Sequence, residues 1–595
     1  MSHYRSNLRD IEFNLFEFLN VQDYLGSGPF NQVDATIAGD ILREIERLAG
    51  DEWAASFVDA DRTKLELVDG EVRLPDSLKA SLAAARSSGF DRMGLSEQLG
   101  GFDVSPTLFW GATELLMGGN ATAYFYLSGG LFARVIFDEG TEEQQKLAKL
   151  MVEKDWAGTM VLTEPDAGSD VGAGTTRAIH IEGETYHLEG VKRFITGGEH
   201  DAAENIIHLV LARPEGARPG TKGLSLFIVP KYLPTEDGSL GARNGVFATN
   251  LEDKMGIRGS TTCELTFGAD EPAIGYLVGG VHDGIRQMFK VIEHARMLIG
   301  TKSTATLSTG YLNALEYAQE RLQGPDLTEA TDKTAPKVPI IRHPDVRRLL
   351  MTQKAYAEGL RALVLFTAWV QDQAILDPDG PWRRRSDLLL PLVKGYSSEK
   401  AYELLAQSLQ VFGGSGFTRD YPIEQYIRDA KIDTVYEGTT AIQALDLFFR
   451  KIARDQGRTL TAMASEVIEY VKAGTDDDPF AVERELLGTM IENVQGQLGT
   501  MVSHLMGSMK HKPELYKAGL HANSLLESVA ELTIGYLLLR QAEVALAADQ
   551  SDPFYQGKVA AARFFVVDVA PKIAARRERA EREDGSLMDL PVEAF

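Results

Sequence analysis

Residues 410–443 read QVFGGSGFTRDYPIEQYIRDAKIDTVYEGTTAIQ. Gly413, Gly414 and Gly416 permit a tight loop whose backbone can approach a neighbour closely. Further on, EGTT sets the acid Glu437 beside Val435 and Tyr436, in apolar company, just ahead of a helix-like run. A carboxylate in that place has two readings. It can be an acidic residue at a helix N-terminus, where the macrodipole favours negative charge. It can also be a base whose pKa is raised by its apolar setting. Position alone favours the first.

Upstream of this run, helical spacing begins at Asp283: Ile285, Met288, Ile292, Ala295 and Ile299 recur at threes and fours and form one buried stripe. Long helices are expected from there to about Arg454, interrupted at Gly324-Pro325 and at DPDGP, 377–381. Downstream, Leu487, Ile491, Val494, Leu498, Met501 and Leu505 form a helix-packing seam, and Leu525, Val529, Leu532, Tyr536 and Leu539 form another. Between about 158 and 273 the pattern is different. Short β-rich runs at 179–181, 186–188, 206–211, 224–229 and 263–267 alternate with turn signals, and IEGETYHLEG (181–190) reads as a hairpin. Strands so spaced, with no helices between them, predict an antiparallel sheet or a small barrel. Residues 1–155 read as mostly helical, with an apolar face over 35–48 from Ile37, Ile41, Leu42, Ile45 and Leu48. The expected organisation is mainly α with a β insert. An N-terminal helical domain covers 1–157, a β-domain 158–281, a helical bundle 282–455 and an additional helical domain 456–595.

At 595 residues the chain is too long for one core. Its 44% hydrophobic and 25% charged content is that of an ordinary globular protein. No apolar run approaches the roughly 20 residues of a membrane helix, and the start, MSHYRSNLRDIEFNLFEFL, has no small-residue cleavage site of the secretory kind. The single cysteine, Cys263, excludes an internal disulfide framework and fits a reducing cytoplasm. A net charge of −25 disfavours nucleic acid and anionic membrane surfaces as partners. GxGxxG after a strand, GxxxxGK[ST], HExxH and GxSxG are all missing, which argues against a nicotinamide Rossmann domain, a phosphate loop, a zinc protease and a hydrolase elbow. One cysteine and scattered histidines argue against a metal cluster. Redox chemistry here therefore requires an organic cofactor held in a less stereotyped way.

Two further stretches carry chemistry. MVLTEPDAGSDVGAG (160–174) combines the hydroxyls of Thr163 and Ser169 with glycines that let backbone N–H groups reach a ligand; alone, it could be a solvated turn. GVKRFITGGEHD (190–201) ends a strand with Phe194 and Thr196, where Phe194 alone could be core.

Taken jointly, TEPDAGSD, KRFIT, FGGSGF and RDAKIDTVYEGT, in this order around a β-rich insert, resemble the acyl-CoA dehydrogenase family over roughly the first 455 residues. The N-terminal MSHYRSNLRDIEFNLFEF and the helical tail resemble the long fatty-acid β-oxidation dehydrogenases of actinobacteria, so the likeness extends over the whole chain. It implies the acyl-CoA dehydrogenase fold: an N-terminal helical domain, a middle β-domain and a C-terminal four-helix bundle, here with an additional C-terminal helical domain.

The resemblance also implies FAD as cofactor, an acyl-CoA substrate and α,β-dehydrogenation to the trans-2-enoyl thioester. It places Met160, Leu162 and Thr163 against the isoalloxazine, Phe194 and Thr196 beside it, and Ser169 near pyrophosphate and substrate. The partner subunit's Arg321, Gln410, Gly413 and Gly414 reach the adenine and pyrophosphate end, and Thr439 completes the cofactor site. Two positions depart from the family pattern. Phe194 stands for a tryptophan, removing an indole donor, and Ala441 stands where an amide or acid usually follows the threonine. Family members carry the base either in YEGT or immediately before an arginine on an earlier helix. Here the residue before Arg296 is Ala295, which accepts no proton, and Glu293 lies about 200° away on that helix. Glu437 is thus the expected base, with Ser169, Glu293, Arg296 and Gly438 on the substrate side. Its backbone N–H and a ribityl hydroxyl of the cofactor stabilise the thioester oxygen.

Straight chains of medium to long length, an electron-transfer flavoprotein as acceptor and a homodimer are further implications, the tail covering surface that shorter relatives use to form tetramers. A 3-methylthiopropionyl-CoA dehydrogenase and an acyl-CoA oxidase are alternatives on the same fold. The insert after Arg321 gathers Lys333, Lys337, Arg342, Arg347, Arg348 and Lys354, a candidate cationic island for the phosphates. The triplet Arg383, Arg384 and Arg385 reads as surface.

Overall fold

A computed structural model describes residues 2–475 and 477–595. The chain divides into two compact units. One is built on Tyr24–Ala295 with the first few residues, the other on Asn7–Asp23 and Arg296–Phe595.

In the first unit, the helix Ala35–Leu48 starts where Asp34 accepts the N–H of Ile37 at 2.9 Å, satisfying an otherwise orphaned donor. Ala38, Leu42, Ile45 and Leu48 form its buried stripe, whereas Ile37 faces outward. The β region closes on itself. Thr185–Thr196 pairs with Ala273–Leu277, which pairs with Ser225–Pro230, which pairs with Ile206–Pro214. Arg177–Glu182 pairs with both Ile206–Pro214 and Thr185–Thr196, completing a five-strand ring. Thr262–Phe267 and Val246–Leu251 extend from Thr185–Thr196, and Ala157–Val161 adds beside Ile206–Pro214.

The small barrel is there, but it is not purely antiparallel. Ala157–Val161 and Arg177–Glu182 both run parallel to Ile206–Pro214. A parallel pair needs a crossover of a dozen or more residues, which the long path between Val161 and Ile206 supplies. Alternation along the strands serves two cores. Ile207, Leu209 and Leu211 face Phe132, Ile136 and Met288 on the helices, while Val210 and Ala212 face Phe227, Leu265 and Phe267. Both faces of Ile206–Pro214 are thus buried, which is why the strand reads as a continuous apolar run.

The second unit is helical. The later part of Gly284–Glu320 is followed by Pro344–Leu376, Trp382–Phe412 and Ile423–Lys431, then by the tail helices Arg458–Lys472, Ala481–Gly507, Ala522–Ala547 and Pro553–Glu581. The breaks after Glu320 and Leu376 fall at the Gly-Pro and DPDGP signals. Residues 7–23, expected to belong with the N-terminal helices, are held in this unit by a buried charge cluster. Asp10 accepts from Arg361 at 2.6 Å and Lys558 at 2.9 Å, and Gln541 donates to Asn14 at 2.7 Å. Burial pushes the Asp10 carboxyl up, yet the two cations hold it down at about 2. Among the described residues no helix is long and apolar enough to cross a membrane.

Candidate active site

In the first unit the strand Ala157–Val161 runs straight into TEPDAGSD, and Glu164 is the fixed point of that loop. Its buried carboxylate accepts Thr175 N at 2.6 Å, Thr175 Oγ1 at 2.9 Å and Thr176 N at 3.0 Å, and pairs with Lys192 Nζ at 3.0 Å. Lys192 also donates to Leu162 O at 2.8 Å, and Arg193 N donates to Thr163 O at 2.9 Å. Residues 162–163 are thereby tied to 192–193. Desolvation pushes Glu164 up, but Lys192 and the threonine donors outweigh it and hold the carboxyl at about 2. Desolvation lowers Lys192 to about 8.

The expected residues lie around this lock at different depths, with Met160 and Leu162 packed on the helix-facing core. Met160, Leu162 and Thr163 are half-buried, and Ser169, Phe194 and Thr196 are exposed. Phe194 has φ +61, rare for an aromatic residue. Its ring is 54% exposed, with the Arg193 guanidinium 4.7 Å from its centre. An exposed aromatic ring of this kind fits a flat ring system as ligand.

In the second unit the helix Ile423–Lys431 leads into the base segment. Asp433 is buried and receives Lys302 Nζ on both oxygens at 2.7 Å and the Tyr436 hydroxyl at 2.8 Å. Lys302 also donates to Asp429 O at 2.8 Å. Two consecutive left-handed residues follow, Glu437 at φ +56 and Gly438 at φ +85. A Cβ at Gly438 would fall 2.8 Å from Gln443 Nε2, so the turn needs glycine on both counts. Lys394 Nζ donates to Gly438 O at 2.6 Å, and Gln443 Nε2 donates to Glu437 O at 3.1 Å and Gly438 O at 3.2 Å.

Thr439 caps the helix Thr440–Leu445, accepting Ile442 N at 3.4 Å. The N-terminal role that position alone suggests for Glu437 is therefore filled by Thr439. Among the described residues, neither the carboxylate nor the N–H of Glu437 makes a hydrogen bond. Glu437 keeps part of its surface open while desolvation raises its pKa to about 7, with Lys394 and Arg296 pulling the other way.

Arg296 is buried against Asp446 at 2.8 Å. Its Nε, like Gln443 Oε1, has no partner among the described residues, and a bound polar ligand could satisfy such atoms. Glu293 is exposed and belongs to the first unit. Lys394 and Lys302 lie outside the motifs, and Asp433 and Gln443, though inside the 410–443 run, are given no role by it. Gln443, one turn into the helix after Glu437, lies within reach of a local argument; the others have partners that only the fold supplies.

Arg321, Gln410, Gly413 and Gly414 form a separate, exposed cluster. The Tyr317 ring stacks on Phe412 with centroids 4.5 Å apart, its hydroxyl meets Ser415 Oγ at 3.4 Å, and Arg321 lies one turn beyond. Nothing stands within 4 Å of where a Cβ would sit at Gly413 or Gly414, so their backbone is open to a ligand. The basic insert is partly neutralised: Arg342 pairs with Asp326 at 3.1 Å, Arg348 with Asp345 at 2.8 Å, and the half-buried Lys354 with Glu358. Arg385 departs from the surface reading. It turns inward to Glu466 at 2.7 and 2.8 Å and lies over the Phe366 ring at 5.1 Å, while Arg383 and Arg384 stay exposed.

Helices, a small β-barrel, more helices and an uncommitted carboxylate on a strained turn define a class, and the chain belongs to the acyl-CoA dehydrogenase family. Residues 159–269 match the acyl-CoA dehydrogenase middle domain, 282–450 the acyl-CoA dehydrogenase C-terminal domain, and 460–591 the domain described as acetyl-CoA dehydrogenase C-terminal like. Within the family, the chain is 52% identical over 611 residues to the broad-specificity linear acyl-CoA dehydrogenase FadE5 of Mycobacterium tuberculosis, covering 100% of both chains. It is 33% identical to the 3-methylmercaptopropionyl-CoA dehydrogenase of Ruegeria pomeroyi, covering 98% of this chain and 99% of the other. An acyl-CoA dehydrogenase from Bacillus anthracis, solved in complex with FAD, superposes with a TM-score of 0.73 at 20% identity over 94% of this chain and 91% of that one, a likeness of fold.

Proposed function

We propose that the chain oxidises the Cα–Cβ bond of straight fatty acyl-CoA thioesters of medium to long chain length, giving trans-2-enoyl-CoA, with FAD as cofactor and Glu437 as base. The observation that carries this is the state of Glu437. Its carboxyl is raised to about 7, and carboxylate and N–H alike are uncommitted among the described residues. A base works best with a pKa near the working pH, and a free backbone donor is what a developing enolate oxygen needs. Glu437 thus takes the α-proton while its own N–H steadies the thioester oxygen.

FAD, when bound, supplies the two-electron acceptor for the β-hydrogen. Met160, Leu162, Thr163, Phe194 and Thr196 offer its ring a platform, and Ser169 faces pyrophosphate and substrate. Thr439 accepts from Ile442 and keeps its own hydroxyl proton to donate. The exposed cluster of Arg321, Gln410, Gly413 and Gly414 serves the cofactor of a neighbouring subunit in a homodimer. Glu293, Arg296 and Gly438 line the substrate side. The enzyme works in the cytoplasm and passes its electrons to an electron-transfer flavoprotein.

The test is an anaerobic titration of the purified flavoprotein with acyl-CoAs of graded length, following flavin absorbance. Bleaching by straight medium and long chains supports the reading. No bleaching with any chain would end it. A response confined to 3-methylthiopropionyl-CoA would favour the second reading, which the 33% likeness to that dehydrogenase keeps in view. Rapid peroxide formation in air would replace the flavoprotein acceptor with oxygen, and sedimentation velocity checks the dimer.

A further inference from the structure

We propose that Lys394 is a positioning residue of the dehydrogenation, anchoring the Glu437–Gly438 backbone so that the carboxylate and N–H of Glu437 address one bound thioester. The inference rests on reading Glu437 as the base. Two successive left-handed residues, one of them not glycine, make a strained turn that persists only where its surroundings hold it. Here both carbonyls of the turn are anchored. Lys394 Nζ and Gln443 Nε2 bind Gly438 O, and Gln443 also binds Glu437 O. With planar peptides, fixing these carbonyls leaves Glu437 little freedom to relax out of its left-handed conformation.

The charge of Lys394 has a second consequence. The side chain is fully buried on the helix Trp382–Phe412, and among the described residues its one hydrogen bond goes to Gly438 O. Three acids and one cation act on it: Asp433, Glu437, Glu399 and Arg296. Asp433 is already taken by Lys302 and Tyr436, Glu399 receives Thr440 Oγ1 at 2.5 Å, and Arg296 is paired with Asp446. Asp433 acts on the ammonium most strongly and Glu437 next. Glu437 alone among those acids has no hydrogen bond of its own, and the ammonium is one of the two cations that favour its charged form. Burial lowers Lys394 to about 8, so it still carries its proton while Glu437 titrates near 7. Lys394 therefore holds the base in place and favours its ionised form against the desolvation that opposes it.

The experiment is anaerobic stopped-flow flavin reduction by acyl-CoA across pH, on the full-length FAD-loaded enzyme. Wild type, Lys394→Met, Lys394→Arg, Gln443→Leu and Glu437→Gln are run side by side. Lys394→Met should slow reduction about 10- to 100-fold through misplacement. It should also move the acid limb of the profile to higher pH by roughly one unit, because a cation that favours the carboxylate is gone. Affinity for enoyl-CoA, whose thioester oxygen meets the same N–H but which gives up no proton, should fall by less than the reduction rate does. Lys394→Arg keeps the charge and should return the limb to its wild-type position. Gln443→Leu removes a donor to the same carbonyls without a charge, so the rate should fall with the limb unmoved.

If Lys394→Met reduces at the wild-type rate with an unmoved limb while Glu437→Gln is inactive, the inference is overturned and the base stands. If Glu437→Gln reduces normally, it is the base that falls. Should Lys394→Met fail to hold FAD, Gln443→Leu decides: a slowed reduction with an unmoved limb supports the anchored turn, and a wild-type rate overturns it.

Discussion

Glu164 and Glu437 each sit in a short, glycine-bearing motif, TEPDAGSD and YEGTT, Glu164 buried and Glu437 partly so. Their surroundings drive them in opposite directions, one to about 2 and the other to about 7. Desolvation pushes both up. What separates them is commitment. Glu164 receives three hydrogen bonds and an ion pair, whereas among the described residues Glu437 receives no hydrogen bond and feels two cations only at a distance. Membership of a motif thus says little about a carboxylate's work. The donors around it separate a loop lock from the proposed base.

The largest expected effect tests the lock. Glu164→Ala leaves Lys192 buried without its counter-charge, and breaking a buried pair in this way costs about 3–5 kcal/mol. Chemical denaturation should show a loss of that size, and a loss under about 1 kcal/mol would mean that the loop is held by something else. Glu437→Gln should behave in the reverse manner. No hydrogen bond is lost and a desolvated acid gives way to a neutral amide, so the denaturation midpoint at neutral pH should hold or rise, while turnover falls about 10²-fold or more, roughly 3 kcal/mol of barrier, with FAD still bound. Near-normal turnover in that variant would collapse the contrast between the two sites.

The pH dependences sharpen the same comparison. Glu164 is depressed from 4.5 to about 2, so its contribution to stability is present above pH 4.5 and is lost as pH falls towards 2. Glu437 is raised from 4.5 to about 7, so its contribution is present below pH 4.5 and is lost as pH rises through about 7. Activity should run against that second trend, rising with pH through about 7 as the base ionises. An acid limb near 4.5 would show that Glu437 is not desolvated in the working enzyme.

How much of this was legible in advance depended on distance along the chain. The helix Ala35–Leu48, the breaks after Glu320 and Leu376 and the apolar runs of the barrel follow from local periodicity and turn residues. Ring closure and the parallel pairs do not, because a strand carries no mark of which distant partner it will meet. Asp10 and Lys558 are 548 residues apart, which is why residues 7–23 could not be assigned to the second unit by pattern. The site divides in the same way. The outward hydroxyls and Phe194 sit inside contiguous motifs, but Lys394 meets Gly438 across 44 residues and Lys302 meets Asp433 across 131. Charge runs mislead for a related reason. Arg385 looks like its two neighbours in sequence, and only packing against Phe366 and Glu466 separates it from them.

The smallest expected effect concerns the other strained residue. Phe194 shares its left-handed backbone with Glu437, yet its ring is more than half exposed and rests under Arg193. Phe194→Trp keeps an unbranched aromatic side chain on the same φ, so the strain is unchanged, and the larger ring extends into open space. Stability should change by no more than about 0.5 kcal/mol. The indole adds an N–H donor where the phenyl ring has none, and one such hydrogen bond contributes about 0.5–1.5 kcal/mol net. FAD should therefore bind a few-fold more tightly, as measured by recovery of flavin fluorescence on dissociation. A large destabilisation would show that Phe194 packs against protein in solution, and weaker FAD binding would show that the ring does not face the cofactor. Either result would leave the strained backbone at Phe194 without a counterpart to the role proposed for Glu437.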